Sequence, residues 1–243
     1  MISGVTSEDF FFNVGEERLA ATRILSSSGK PPSVVSFHGL GVTASRASIR
    51  YVLNHLAQLG LSSMCFDFSG NGESSGKFEC ASLRIRAAES LAAARLLADT
   101  EPRALIGTSM GAHLAALASP AIQPHSLVLF CPAAYPGNAA EERFDENFVR
   151  FNNRVITPEA LRGSPALRAL RSFRGNLLIV AAEDDQVIPR RVVDLYLENA
   201  TAVRSSRVLW LAGCDHFVHP WLARHPEERA IALQAIQSTI LDP

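Results

Sequence analysis

The strongest limit on what this chain can fold into is a regular alternation of two kinds of segment. Short apolar runs of strand length, at 33–37 (SVVSF), 62–68 (SSMCFDF), 103–107 (RALIG), 126–131 (SLVLFC), 176–182 (NLLIVAA) and 206–212 (SRVLWLA), are separated by stretches with helical spacing. Runs that are apolar throughout suit strands covered on both faces, as in a parallel sheet. The helical stretches are 44–60, 81–99, 110–119, 190–200 and 226–241, the last with Pro226 placed for a first turn. Within 81–99, Leu83, Ala87, Leu91, Ala94 and Leu97 recur at three- and four-residue spacing, the stripe of a helix laid on a sheet. The alternation predicts an α/β fold: a mainly parallel sheet, helices on both faces and right-handed crossovers. Ahead of it, DFFFNVGEERLAATRIL (9–25) reads as two strands about a turn at 13–15, hence an antiparallel N-terminal edge.

Residues 135–172 interrupt the pattern, with no strand and with helical fragments broken by Gly and Pro. They read as a small cap inserted into one domain spanning 1–243, a length that α/β folds reach without dividing. A net charge of -1 with 19% charged residues offers no basic excess for phosphates, which argues against nucleic acid as a partner. No apolar run approaches about 18 residues, so no membrane span is expected. The start, MISGVTSEDFFFNVGEE, lacks the basic and apolar parts of an export signal, and Cys65, Cys80, Cys131 and Cys214 form no CxxC pair. Mostly buried, reduced thiols and a cytoplasmic location follow as expectations.

Gly107-Thr108-Ser109-Met110-Gly111 lies between a predicted strand and a predicted helix. GxSxG arises by chance in about one chain in ten of this length, so the context carries the argument. Two glycines free a sharp turn of Cβ atoms, and the following helix N-terminus favours negative charge beside Ser109. A nucleophilic serine needs a base, and the base needs an orienting carboxylate. His216, in the loop after the last strand, is the candidate base. Glu183, Asp184 and Asp185 end the preceding strand; Asp185 fits best, since D-x-V-I-P places it at the start of a turn with Val187 and Ile188 docking inward, and Asp184 is the fallback.

With Ser109, Asp185 and His216 in this order, the chain resembles an α/β-hydrolase-fold serine hydrolase of esterase or thioesterase type over nearly its whole length. Two further motifs carry the resemblance: Phe37-His38-Gly39-Leu40-Gly41, similar to the family's His-Gly loop, and Asp67-Phe68-Ser69-Gly70-Asn71-Gly72-Glu73-Ser74, similar to its D-x-x-G-x-G-x-S loop. The resemblance implies an oxyanion hole from the backbone N–H groups of Leu40 and Met110, a bracing role for His38, a small-molecule acyl substrate, and no cofactor or metal. Ester or thioester hydrolysis is the expected activity, with carbon–carbon bond hydrolysis, acyl transfer and peptide cleavage open to the same residues. A non-catalytic ligand-binding protein on the same fold is the reading from another class.

Other signals read as structural. His113 falls one turn into the helix after Ser109 and suits packing; His219 is the rival base. Asp215, His216 and His219 lack further ligands at a metal-site spacing, and Cys214 follows no turn of the kind that exposes a nucleophile. The glycines of 70–76 miss the dinucleotide spacing, and Asp67 and Ser74 read as loop-stabilising hydrogen bonders. Arg143, Arg150, Arg154, Arg162, Arg168 and Arg171 of the insertion suit a solvated surface, with contact to an anionic substrate such as a coenzyme A thioester as the alternative.

Overall fold

In the computed structural model, which describes residues 4–97, 101–145 and 158–242, the apolar runs form one eight-stranded sheet. β1 (Thr6–Val14) and β2 (Glu17–Leu25) make a hairpin through a two-residue turn with Gly15 at φ 59°. A positive φ at the first central position is the geometry that matches hairpin twist. β2 pairs antiparallel with β4 (Ser63–Phe66), and β3 (Val34–Phe37), β5 (Ala104–Thr108), β6 (Ser126–Phe130), β7 (Asn176–Ala182) and β8 (Ser205–Leu211) complete the sheet in parallel. The order is β1-β2-β4-β3-β5-β6-β7-β8. After β3 the chain adds β4 on one side and β5 on the other, so the β3/β5 boundary is the point where strand order reverses, and ligands of open α/β sheets bind there.

Alternate side chains enter two cores. Val35, Phe37, Met64, Phe66, Leu105, Leu127 and Ile179 pack beneath α2 (Leu83–Arg95), α3 (Met110–Ile122), α4 (Pro158–Arg162), α5 (Pro165–Leu170) and α6 (Arg190–Asn199). Val34, Cys65, Ile106, Val128, Leu178 and Val180 face α1 (Arg50–Gln58), α7 (Val218–Arg224) and α8 (Pro226–Leu241). Burial on both faces is what the uninterrupted apolar runs predict.

Three expectations need correction, and one helix was not expected. β8 is an edge strand exposed along its first three residues, not a strand covered on both faces. On α2 the buried side carries Leu83, Arg86, Glu89, Ser90, Ala93 and Ala94, with Leu97 buried just beyond it, while Ala87 and Leu91 are only partly buried: the Arg86–Glu89 ion pair shares the face turned to the core. Residues 218–224 are helical, with Pro220 in the first turn, where its missing N–H has no intrahelical partner to lose. Val187 is 52% exposed, and only Ile188 docks inward. Among the described residues the insertion holds a short 3₁₀ turn (Gly137–Ala139), α4, α5 and an isolated bridge from Arg143 to Ser82; Arg150 and Arg154 lie outside the described residues.

Candidate active site

The turn between β5 and α3 holds one of three non-glycine residues with positive φ among the described residues. Ser109 sits at φ 52°, ψ -110°, left-handed for a residue with a Cβ, a conformation that persists only where the surroundings enforce it. Its N–H donates to the Phe130 carbonyl at 2.8 Å, and its carbonyl accepts from the N–H groups of Ala112 and Ala133, both at 3.1 Å. The flanking glycines are a steric requirement. A Cβ on Gly107 would lie 2.3 Å from the Gly111 carbonyl oxygen, and one on Gly111 would lie 2.1 Å from that of Phe37. The first turn of α3 thus rests directly on the end of β3, and Ser109 projects from the crowded bend.

His216 and Asp185 come from the loops after β8 and β7. His216 Nδ1 is 2.8 Å from Asp185 Oδ2, and Asp185 Oδ1 accepts from the N–H groups of Val187 and Ile188, each at 2.8 Å. Burial pushes the Asp185 carboxyl up, but the His216 hydrogen bond and the two N–H donors outweigh it and hold the group below the usual carboxylate range. An ionised Asp185 accepts only, so His216 carries its proton on Nδ1 and keeps the Nε2 lone pair free. Ser109, His216 and Leu40 all line the same two cavities, of about 220 and 520 Å³. A larger groove of about 570 Å³, with Pro102, Pro120, His125, Arg174 and Arg204, contains none of these residues. The fallback acid, Asp184, is exposed, and its N–H serves the Cys214 carbonyl.

His219 is not a free base. Its Nε2 meets Thr108 Oγ1 at 2.8 Å and its Nδ1 meets Tyr51 OH at 3.2 Å, and burial lowers its pKa to about 4. His113 is likewise packed, against Tyr135, and burial lowers it to about 3. Nor do Asp215 and His219 join His216 in a ligand cluster. The group that does gather is Cys131, Asp185 and His216, with ligand atoms within 4.8 Å of one another. Burial, and then Asp185, push the Cys131 thiol up, so in this structure it keeps its proton and presents a donor toward the carboxylate. Cys131 also has a positive φ, 41°. Sequence reasoning missed its place; the only signal was a cysteine directly after a buried strand.

The loop after β3 is held by the 67–74 loop. His38 Nδ1 contacts the Gly39 carbonyl at 2.8 Å and its Nε2 accepts from the Phe68 N–H at 3.1 Å; burial lowers its pKa to about 4, keeping it neutral for both tasks. Asp67 accepts from the Arg46 N–H at 2.7 Å and pairs with the Arg46 guanidinium, while Ser74 Oγ donates to the Asp67 carbonyl at 2.6 Å. Asn71 Nδ2 faces the carbonyls of Gly41 (2.8 Å), Val42 (3.2 Å) and Ala44 (3.2 Å). Behind it, Arg86 Nη2 donates to Asn71 Oδ1 at 3.2 Å, and Arg86 Nη1 reaches Glu89 at 3.0 Å and Ser69 Oγ at 3.1 Å. This chain of contacts sets the position of Leu40. Among the described residues, neither the Leu40 nor the Met110 N–H donates to another protein group. Of the insertion's described arginines, Arg168 donates to the Gly163 carbonyl and Arg171 to Asn199, and none lines the two cavities.

No curated protein matches the sequence. Among solved structures, the chain is similar to a thermophilic esterase, Est2, from the Planctomycetes species Thermogutta terrifontis (18% identity, 99% of this chain and 95% of that one, TM-score 0.70). It is similar also to the thioesterase domain from the curacin biosynthetic pathway (17% identity, 93% and 99%, TM-score 0.66). A third is XC6422 from Xanthomonas campestris, described as an α/β serine hydrolase without a lid (18% identity, 100% and 98%, TM-score 0.64). At these identities the likeness is one of fold. The family model described as "Serine aminopeptidase, S33" matches residues 30–158, more than half of the chain, and the protein therefore belongs to that family of α/β-hydrolase-fold enzymes.

Proposed function

We propose that this hydrolase is a serine enzyme that cleaves a carboxylic ester or thioester through an acyl-Ser109 intermediate. The observation that carries the reading is the strained Ser109 backbone, enforced by two glycines that admit no Cβ, beside cavities shared with a His216 whose Nδ1 is held by Asp185. In this reading His216 Nε2 takes the Ser109 proton as Oγ attacks the acyl carbon, and Asp185 fixes the tautomer and stabilises the imidazolium. The N–H groups of Leu40 and Met110 receive the oxyanion. His216 then protonates the departing alkoxide or thiolate, and the same nitrogen activates the water that releases the acid and regenerates Ser109. Each oxyanion donor contributes about 3–4 kcal/mol of transition-state stabilisation.

The esterase and thioesterase named among similar folds agree with this chemistry, as does a small-molecule substrate. Residues 135–172 form a small cap on a single domain in this proposal. Four free cysteines, three of them buried, suit a reducing compartment, and we place the enzyme in the cytoplasm. No helix among the described residues is long and apolar enough to cross a membrane. The test is hydrolysis of p-nitrophenyl esters and acyl thioesters by wild type and Ser109→Ala, with fluorophosphonate labelling of Ser109. Turnover and labelling both lost in the variant support the reading. A folded wild type that neither labels nor turns over any substrate overturns it in favour of a ligand-binding role; labelling without ester or thioester turnover moves carbon–carbon hydrolysis or acyl transfer ahead.

A further inference from the structure

The two cavities that meet at Ser109 are built differently. The smaller, about 220 Å³, is walled by Ala133, Ala134, Tyr135, Ile188 and Val192, each no more than 9% exposed, and by exposed Val187 and Pro189. The larger, about 520 Å³, has a buried floor of His38, Val218 and His219, and its remaining walls include exposed Thr43, Ala47, Ser48 and Pro220 with half-buried Ala44 and Ser45. Leu40 and Phe217 border both, and Phe217 stands 67% exposed at the mouth. Among the described residues lining either cavity there is no Lys, Arg, Asp or Glu.

A double-displacement hydrolase asks different things of its two subsites. The acyl group stays through deacylation and gains from an enclosed apolar wall, whereas the leaving group must depart and be replaced by water along an open path. From this asymmetry we infer that the substrate is an uncharged ester or thioester whose compact acyl group occupies the Ala133–Val192 chamber and whose neutral leaving group lies in the Thr43–Ser48 trough. The inference rests on the acyl-serine reading above. At the roughly 30 Å³ that a small heavy-atom centre such as water occupies in a liquid, the chamber holds about seven heavy atoms. That is room for a hexanoyl chain or one phenyl ring. Among the described residues, neither an α-ammonium on the acyl group nor an anionic leaving group finds a counter-charge on these walls, and an α-ammonium enclosed in the chamber would be uncompensated.

The test is a grid of kcat/KM values for wild type: p-nitrophenyl esters from acetyl to dodecanoyl, butanoate esters of alcohols from methanol to decanol, and butanoyl thioesters of N-acetylcysteamine and of coenzyme A. We expect kcat/KM to rise about fourfold per acyl methylene until the chamber fills and to fall at least tenfold by decanoyl. Alcohol length should alter it little, and the neutral thioester should exceed the coenzyme A thioester at least tenfold. Ala47→Trp, at an exposed trough position, should depress the long alcohols while leaving the acyl-length optimum in place. An acyl profile that keeps rising to dodecanoyl, a steep alcohol cutoff in its stead, or a preference for coenzyme A overturns this assignment. If Ser109 is neither labelled by fluorophosphonate nor required for turnover, it is the acyl-serine reading that fails.

Discussion

The buried pair of Arg86 and Glu89 gives the sharpest test of how the fold holds its candidate site. Both side chains are almost wholly excluded from solvent, 0% and 2% exposed, with Nη1 and Oε2 at 3.0 Å. The pair is incompletely satisfied, since Arg86 Nε and Glu89 Oε1 have no partner. Burial pulls the Arg86 guanidinium below its usual pKa even though Glu89 opposes the shift, so desolvation outweighs the attraction. Removing one partner then strands a charge: Arg86→Met should destabilise the fold by about 3–5 kcal/mol. At 2–4 °C per kcal/mol for a chain of this size, Tm should drop by about 10 °C. Replacing both partners by apolar residues, Arg86→Met with Glu89→Leu, should return stability to within about 1 kcal/mol of wild type. Activity should not return with it. Asn71 Oδ1 would still lack its guanidinium donor, the 41–44 loop would be less well placed, and kcat should stay between tenfold and about a thousandfold down, the upper figure being the loss of one oxyanion donor. Urea unfolding followed by circular dichroism, with ester hydrolysis measured on the same samples, separates the two effects. A single Arg86→Met loss below 1 kcal/mol, or a double variant as unstable as the single, would refute the desolvation argument; full activity in the double variant would refute the tether through Asn71.

Gly111→Ala places a methyl 2.1 Å from the Phe37 carbonyl oxygen, a backbone atom that cannot step aside. It should destabilise by about 3 kcal/mol and reduce kcat at least a hundredfold, whereas Gly163→Ala, with 3.4 Å to its nearest neighbour, should be close to silent in both assays. Asp185→Asn keeps the size of the side chain but removes the acceptor-only character that fixes the His216 tautomer, and kcat should fall about 10⁴-fold with near-native stability by circular dichroism. His38 and His219 at about 4 and His113 at about 3 lie below the unfolded value of about 6.5. Between pH 4 and 6.5 the unfolded chain therefore binds protons the native one refuses. Their stabilising contribution is complete above pH 6.5 and is lost on acidification, each at up to about 1.4 kcal/mol per pH unit. Asp185, with its depressed pKa, adds a further loss as pH falls through the carboxylate range. Tm should drop steeply from pH 7 to 5 and less steeply in His219→Gln; a flat profile would refute the neutral-histidine assignment.

The strands were legible because burial on both faces leaves a simple mark, an unbroken apolar run such as NLLIVAA over β7. Ser109, Asp185 and His216 stood out as candidates because each follows a strand at its carboxyl end, and the structure brings the last two into contact at 2.8 Å. What escaped depends on partners distant in sequence. Arg86 and Glu89 look like the polar face of a surface helix until Ser69 and Asn71 close over them. Cys131 has meaning only beside Asp185, 54 positions away. Val187 was misplaced because its N–H, and not its side chain, faces inward: backbone donors leave no trace in residue identity. β8 was read as buried from Val208-Leu209-Trp210, but these are only partly buried, and among the described residues no strand covers its outer edge.

That uncovered edge gives the two ends of the proposed proton transfer unequal protection. Ser109 leaves β5, a strand paired on both sides, while His216 follows β8, which among the described residues pairs only with β7 and is exposed along its first three residues. Local openings in proteins draw on such weakly packed margins long before the whole domain unfolds. Amides of β8 should therefore exchange with solvent through a low-energy fraying that β5 does not share. The opening would stay at Ser205–Arg207, because the end of β8 that leads to His216 is clamped by buried Leu211, Cys214 and Val218.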